Sequence, residues 1–182
     1  MKRVITATTL AIVLAAIPSF AQVGEGRGAG GLPQTVQWGM QQAMRDLEAE
    51  SLGITEETMA EKVGADVLRD FVDGAVLRLV LSPEGRFTAY TLEGGDLVSF
   101  KLGKQSIELS GEGEWEDPWV SRSGEYQLPK KPQKLSLNLN AGGQEVEVEC
   151  YNKFGKREEP VTYYVGPLNG LFCMGLAEDE TG

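Results

Sequence analysis

The sequence contains no histidine, only two cysteines, and few basic residues, with 17 Lys and Arg against 27 Asp and Glu. Without histidine the chain cannot form a Ser-His-Asp or Cys-His nucleophile system or a histidine-containing zinc site. The net charge of −10 leaves no basic surplus to displace the counterions of a nucleic acid, which argues against nucleic-acid binding. We therefore expect a protein that is not an enzyme and that binds no metal or cofactor.

The sequence also lacks an apolar run long enough to span a membrane. Residues 4–17 are nearly all apolar or small, but this stretch is shorter than the roughly 20 residues that span a bilayer. The run follows Lys2-Arg3 and precedes Ser19-Phe20-Ala21, a small-x-small cleavage pattern. This pattern predicts a signal peptide over residues 1–21, cleaved near Ala21-Gln22, and a periplasmic or secreted product without a membrane span. No cysteine lies near the cleavage point, so we do not expect a lipoprotein.

Two helical patterns follow a glycine-rich stretch, residues 22–33, which we interpret as a flexible linker. Apolar residues then recur every three or four positions, as on one face of a helix. These residues are Val36, Met40, Met44 and Leu47, then Met59, Val63, Val67 and Phe71. Gly53 is predicted to end the first helix and Thr55 to cap the second. Residues 34–73 are thus predicted to form a helical hairpin that packs on a sheet, with methionines filling the core.

After Gly74 the apolar period changes to two, which predicts an antiparallel β domain over residues 74–177. Three hairpin turns can be located where apolar residues align across a short glycine-containing segment. The turns are Pro83-Glu84-Gly85, Gly103-Lys104 and Gly142-Gly143, and the paired residues are Leu79 with Ala89, Phe100 with Ile107, and Leu137 with Val148. We expect a mainly β protein with a meander of about eight to ten strands, closed into a barrel or folded as a sandwich. Residues 178–182 form an acidic tail.

Two stretches give the β domain a family resemblance. Gly124-Glu125-Tyr126-Gln127-Leu128 and the segment from Tyr164-Val165 to Met174, together with the signal peptide, resemble the small lipocalin-like domains of secreted bacterial proteins. The resemblance implies a meander barrel that holds a ligand. The sequence lacks the lipocalin Gly-x-Trp near its first strand, because Gly113-Glu114-Trp115 is the only such triplet and lies mid-domain. No binding residue is therefore carried over from the family.

The segment from Gly111 to Gly124 concentrates aromatic and acidic side chains. The candidate ligand-binding residues are Trp115, Trp119, Glu114, Glu116 and Asp117. Aromatic faces beside carboxylates can bind a glycan, two carboxylates at a suitable distance can hydrolyse one, and clustered oxygens can bind calcium. The spacing does not match an EF-hand loop. The alternative is a surface loop whose tryptophans fold back over the end of a barrel while its acids are solvated.

Cys150 and Cys173 are both predicted to face the sheet interior. In an oxidising compartment two cysteines suggest one disulfide. In a simple meander, however, the strand at residues 161–165 would separate them, whereas bridged Cα atoms lie within about 7 Å of each other. The sequence leaves open a disulfide or two buried free thiols.

Three functions are compatible with these patterns. The first is a non-catalytic extracytoplasmic binding protein for a small apolar or glycan ligand, which follows from the barrel and the tryptophan segment. The second is a protein-interaction module, such as a periplasmic accessory protein or inhibitor, whose acidic surface selects a basic partner. The third is a glycosidase that uses carboxylates alone. A hollow barrel would favour a small ligand, and a filled interior would favour a protein partner.

Overall fold

The computed structural model describes residues 34–50, 53–92, 95–156, 159–168 and 170–178. The signal peptide, the linker and most of the acidic tail lie outside these ranges. Within them, three helices precede ten strands. The helices are α1 (Gln34–Glu50), α2 (Glu56–Val63) and α3 (Ala65–Asp73). The strands are β1 (Leu77–Leu81), β2 (Arg86–Leu92), β3 (Gly95–Leu102), β4 (Gln105–Glu108), β5 (Glu114–Glu116), β6 (Trp119–Glu125), β7 (Leu135–Ala141), β8 (Gln144–Tyr151), β9 (Val161–Pro167) and β10 (Leu171–Ala177).

The helical region differs from the predicted hairpin in one respect. Thr55 caps α2 as expected, because its Oγ1 accepts a hydrogen bond from the Thr58 N–H at 3.2 Å. The second predicted helix is not continuous, since Gly64 adopts a φ of 96° and separates α2 from α3. This left-handed backbone is accessible to glycine at little steric cost. The prediction of two helices is therefore wrong, and the second is two short ones.

The strands form one mostly antiparallel, strongly curled sheet that makes a half-barrel. Its order is β4-β3-β7-β8-β10-β9-β1-β2-β6-β5. The rings of Phe87 in β2 and Phe100 in β3 lie 5.0 Å apart although five strands separate β2 from β3 in this order. Such a contact requires the sheet to curl back on itself. The half-barrel replaces the expected closed barrel or sandwich.

The predicted hairpin registers are confirmed. Leu79 pairs with Ala89, Phe100 with Ile107, and Leu137 with Val148. In the first turn Gly85 has a φ of 81°, the left-handed conformation for which a turn glycine was expected. The other face of the third hairpin is polar, since Asn138 pairs with Glu147.

The simple meander is wrong in the order of the strands. β10 does not lie outside β9 but is inserted between β9 and β8, parallel to β8. β3 likewise pairs with β7 rather than with β2. Alternation of apolar residues fixes the faces of a strand but not the identity of its distant neighbours, so these pairings were not accessible from the pattern.

Two apolar cores lie on the two sides of the sheet. The concave side encloses side chains such as Phe100, Leu137 and Tyr163, none of which is exposed to solvent. The helices cover the other side of β10, where Met40, Met44 and Phe71 belong to the same cluster as Phe172 and Met174 of that strand. The strand is consequently buried on both faces. The methionines of the helices fill this second core, as expected.

Candidate functional site: the acidic edge hairpin

The tryptophan segment is a β-hairpin rather than a loop. β5 and β6 pair antiparallel, with Glu114 opposite Ser121 and Glu116 opposite Trp119, and the connection contains a cis Asp117-Pro118 bond. Within the part of the chain that the structure describes, β5 is the last strand of the sheet order and has no neighbour on its other side. We call residues 112–125 the edge hairpin. The alternation of acid and aromatic in Glu114-Trp115-Glu116 was the signal that could have identified β5.

The two tryptophans lie on opposite faces of the edge hairpin. Directly paired residues share a face of a sheet and successive residues alternate, so Trp119 shares a face with Glu116. Trp115 pairs with Val120 and therefore lies on the other face. The structure does not bring the two indoles together, and they cannot sandwich one ligand ring.

Trp119 is packed against the sheet through Arg78 of β1. The guanidinium carbon of Arg78 lies 4.9 Å from the centre of the Trp119 ring and 5.8 Å from that of Tyr164, distances typical of cation–π contacts. Arg78 also donates a hydrogen bond to the Val72 carbonyl at the end of α3, at 3.5 Å. Burial raises the pKa of Tyr164, and the charge of Arg78 opposes part of that rise. Sequence reasoning missed Arg78, because the contact depends on two strand pairings.

Trp115 is presented to solvent. Its side chain is 62% exposed, although tryptophan is a residue that proteins usually bury to a large extent. Glu112, Glu114, Glu116 and Asp117 around it are exposed as well. In the part of the chain that the structure describes, the ion pairs are Arg69 with Asp66 and Lys134 with Glu149, so neither involves the edge hairpin. The hairpin contains five acidic residues and one basic residue, Arg122, which gives it a net charge of −4. It thus combines an unpaired strand edge, an exposed indole and an excess of negative charge.

Cys150 and Cys173 form a disulfide, with Cα atoms 4.5 Å apart. The expected obstacle, an intervening strand, is absent because β10 lies directly beside β8 and the two cysteines are register partners. Both are buried, at 1% and 0% exposure. A disulfide of this kind is typical of proteins in oxidising compartments.

This disulfide lies at the joint between the two halves of the sheet. β8 and β10 share only two register pairs, Cys150 with Cys173 and Tyr151 with Met174. Beyond them the Asn152 side-chain amide donates to the Gly175 carbonyl at 2.8 Å, in place of a further strand residue. Few backbone hydrogen bonds therefore hold this joint, and the covalent bond stabilises it.

Buried apolar side chains of one cluster line the concave interior of the described part of the half-barrel. Two open depressions occur on the surface. One, about 340 Å³, is lined by polar residues of β3, β7 and β8 including Lys101, Asn138 and Glu147. The other, about 180 Å³, lies between β4 and β6 beside Ile107 and Arg122. Neither is an enclosed apolar chamber of the kind that a lipid-binding barrel provides.

The described ranges contain no group of three or more Asp, Glu or Cys side chains placed to hold a metal ion.

No helix in those ranges is long and apolar enough to cross a membrane.

Comparison of the chain with protein-family models, with curated proteins and with solved structures finds no match.

Proposed function

We propose that the protein is a non-catalytic extracytoplasmic binding protein whose edge hairpin docks a protein partner. The observation that carries the proposal is the exposure of Trp115 on a free edge strand. Interface energy is concentrated in aromatic anchors such as tryptophan, and an edge strand offers unpaired backbone groups for an added strand. The disulfide supports a location in an oxidising compartment.

The chemistry of the hairpin indicates the partner. The excess of acidic over basic side chains in the hairpin favours an extended segment that alternates basic and small apolar residues, because opposite charges steer association and suppress acidic competitors. The backbone of such a segment would pair with β5, its apolar side chains would cover the Trp115 indole, and its cations would neutralise Glu114 and Glu116. This is addition of a strand to a sheet edge. Trp119, held on Arg78, fixes the hairpin to the rest of the sheet.

The cluster of buried apolar side chains on the concave side weakens the alternative of an enclosed apolar ligand, since the two depressions described above are open to solvent. The glycosidase alternative is weakened by the exposure of Glu114, Glu116 and Asp117, because a catalytic general acid is normally shielded from water. A glycan stacked on Trp115 remains a second candidate, supported by the exposed indole beside carboxylates. Titration with oligosaccharides that quenches tryptophan fluorescence in the parent and not in Trp115→Gln would favour this second candidate.

The test uses a fluorescently labelled peptide of about eight residues that alternates lysine and valine, a length typical of a strand. We expect binding by anisotropy, weakened roughly tenfold or more in Trp115→Gln and in Glu114→Lys/Glu116→Lys. The matched control is Glu145→Lys/Glu147→Lys, which makes the same change of net charge on two exposed residues of β8. A peptide that does not bind, or that loses equal affinity in the control, would overturn the proposal.

A further inference from the structure

A second tryptophan is exposed on the helical side of the molecule. Trp38 of α1 is 67% exposed, more than Trp115. It precedes the fully buried Met40 by two residues, which places it about 160° around the helix from the core-facing side. The sheet and the other helices therefore give no structural reason for an indole at this position.

Trp38 belongs to a stripe along the outer face of α1. Thr35, Trp38, Gln42 and Arg45 follow one another at spacings of three, four and three residues, so they lie on one side of the helix. We call these four residues the α1 stripe. Three are exposed and Gln42 is partly so. A stripe at this spacing matches the contact face of paired helices.

Charge is distributed unevenly along α1. Residues 34–44 contain no charged side chain, whereas the last six residues contain Arg45, Asp46, Glu48 and Glu50. The uncharged half includes the helix N-terminus, which carries the positive end of the helix dipole and has no acidic residue in its first turn. An acidic helix end is thus complementary to the neutral half of an identical helix that runs in the opposite direction.

We propose that the α1 stripe is a self-association surface on which a second copy of this chain packs antiparallel. A twofold axis between Gln41 and Gln42 places Trp38 of each copy against the partner's Arg45. The Arg45 guanidinium, whose Nε donates to the Tyr151 hydroxyl at 3.4 Å, can stack its planar face on the indole. The acidic end of each helix then meets the uncharged half of the other. A parallel pair would instead bring the two Arg45 side chains together, along with the acidic ends. Since the chain carries a net charge of −10, the uncharged half of α1 is a surface where two copies meet without strong repulsion.

The first test is sedimentation analysis of the purified disulfide-bonded protein from micromolar to near-millimolar concentration. We expect the mass to rise towards twice that of the monomer. Trp38→Gln should remain monomeric, while Trp115→Gln, which removes the other exposed indole, should associate like the parent. Arg45→Glu is a second variant that removes the cation. Because it also removes the hydrogen bond from Arg45 Nε to the Tyr151 hydroxyl, its urea midpoint is compared with that of the parent. A parent that stays monomeric, or a Trp38→Gln variant that dimerises like the parent, would overturn the inference.

Cross-linking tests the direction of the pair. The Gln42→Cys residues of two antiparallel copies are near neighbours, whereas the Thr35→Cys residues are separated along the axis by about 20 Å. We therefore expect a covalent dimer on mild oxidation of the first variant and none for the second. Equal cross-linking of both would indicate a parallel arrangement and contradict the model. Peptide binding to the edge hairpin should survive Trp38→Gln, so the two surfaces can fail independently.

Discussion

Loss of the Cys150–Cys173 disulfide should be the most damaging chemical change available without altering the sequence. The two cysteines are 23 residues apart, and cross-linking a loop of this size is expected to stabilise the folded state by about 3.4 kcal/mol through restriction of the unfolded chain. A domain of this kind has a total unfolding free energy of about 5–15 kcal/mol. Reduction would therefore remove a large part of the stability and raise the unfolding equilibrium constant by roughly 300-fold.

The position of the bond adds to this effect. β8 and β10 share only two register pairs, so the joint between the two halves of the sheet has little hydrogen bonding to compensate for the lost cross-link. Because both sulfur atoms are buried, reduction requires unfolding first, and the reduced protein has to be prepared by refolding in the presence of a dithiol. Comparison of the oxidised and reduced parent protein measures the contribution of the cross-link to the free energy of unfolding, since the buried atoms are otherwise the same. Cys150→Ala/Cys173→Ala additionally removes the sulfur atoms from the core and should be less stable still.

Equilibrium urea unfolding, followed by tryptophan fluorescence and circular dichroism, measures the difference. We expect the midpoint to fall by about 1–3 M on reduction, given the usual dependence of unfolding free energy on urea. The slope of that dependence should rise, because an uncrosslinked unfolded chain exposes more surface. If oxidised and reduced proteins unfold within about 0.5 kcal/mol of each other, the loop argument is refuted. Two alkylatable thiols in the native protein would refute the disulfide itself.

Substitutions at three other positions test contacts within the half-barrel. Burial raises the pKa of Tyr126, whose hydroxyl donates to the Ser82 carbonyl, so the folded protein keeps a proton that the unfolded chain loses above pH about 10. Stability should thus be complete below that pH and decline above it, and urea midpoints at pH 9 and 11 should differ less in Tyr126→Phe than in the parent. Gly175→Ala should cost about 1–3 kcal/mol in urea unfolding, because the new Cβ would lie 2.5 Å from the Tyr163 ring; unchanged stability would contradict the packing. Asn152→Ala should lower the thermal unfolding temperature more than Asn152→Gly. Both variants lose the side-chain amide hydrogen bond to β10, but only alanine is strained at a φ of 71°. A lower unfolding temperature for the glycine variant would contradict this account.

The local part of the fold could be predicted from the sequence. Hairpin registers such as Leu79 with Ala89 depend on alternation and on a turn glycine, both of which lie within a few residues. The cap at Thr55 is equally local. What could not be predicted depends on residues far apart in the chain, above all the insertion of β10 beside β8. The sequence nevertheless contained one indication of this position, because residues 171–177 are a continuous run of apolar and small side chains. That pattern is typical of a strand buried on both faces rather than of a strand at an edge.

The candidate site was predicted in composition but not in geometry. The exposure of Trp115 follows from its place on the last strand of the sheet, and the partial burial of Trp119 follows from the position of Arg78 two strands away. Neither can be derived from the order of residues in the segment. For Trp38 the geometry could be inferred from the sequence alone, since it lies on the side of α1 that faces away from Met40 and Met44.

The place of β10 also determines how the protein can be assembled. It is the last of the ten described strands along the chain, yet it lies between β8 and β9, inside the sheet. Until it is synthesised, the earlier strands can form only two separate sheets, one ending at β8 and the other at β9. Each would expose an open edge to other chains, a condition that promotes aggregation. Insertion of β10 therefore covers both open edges at once and joins the two parts into a single sheet.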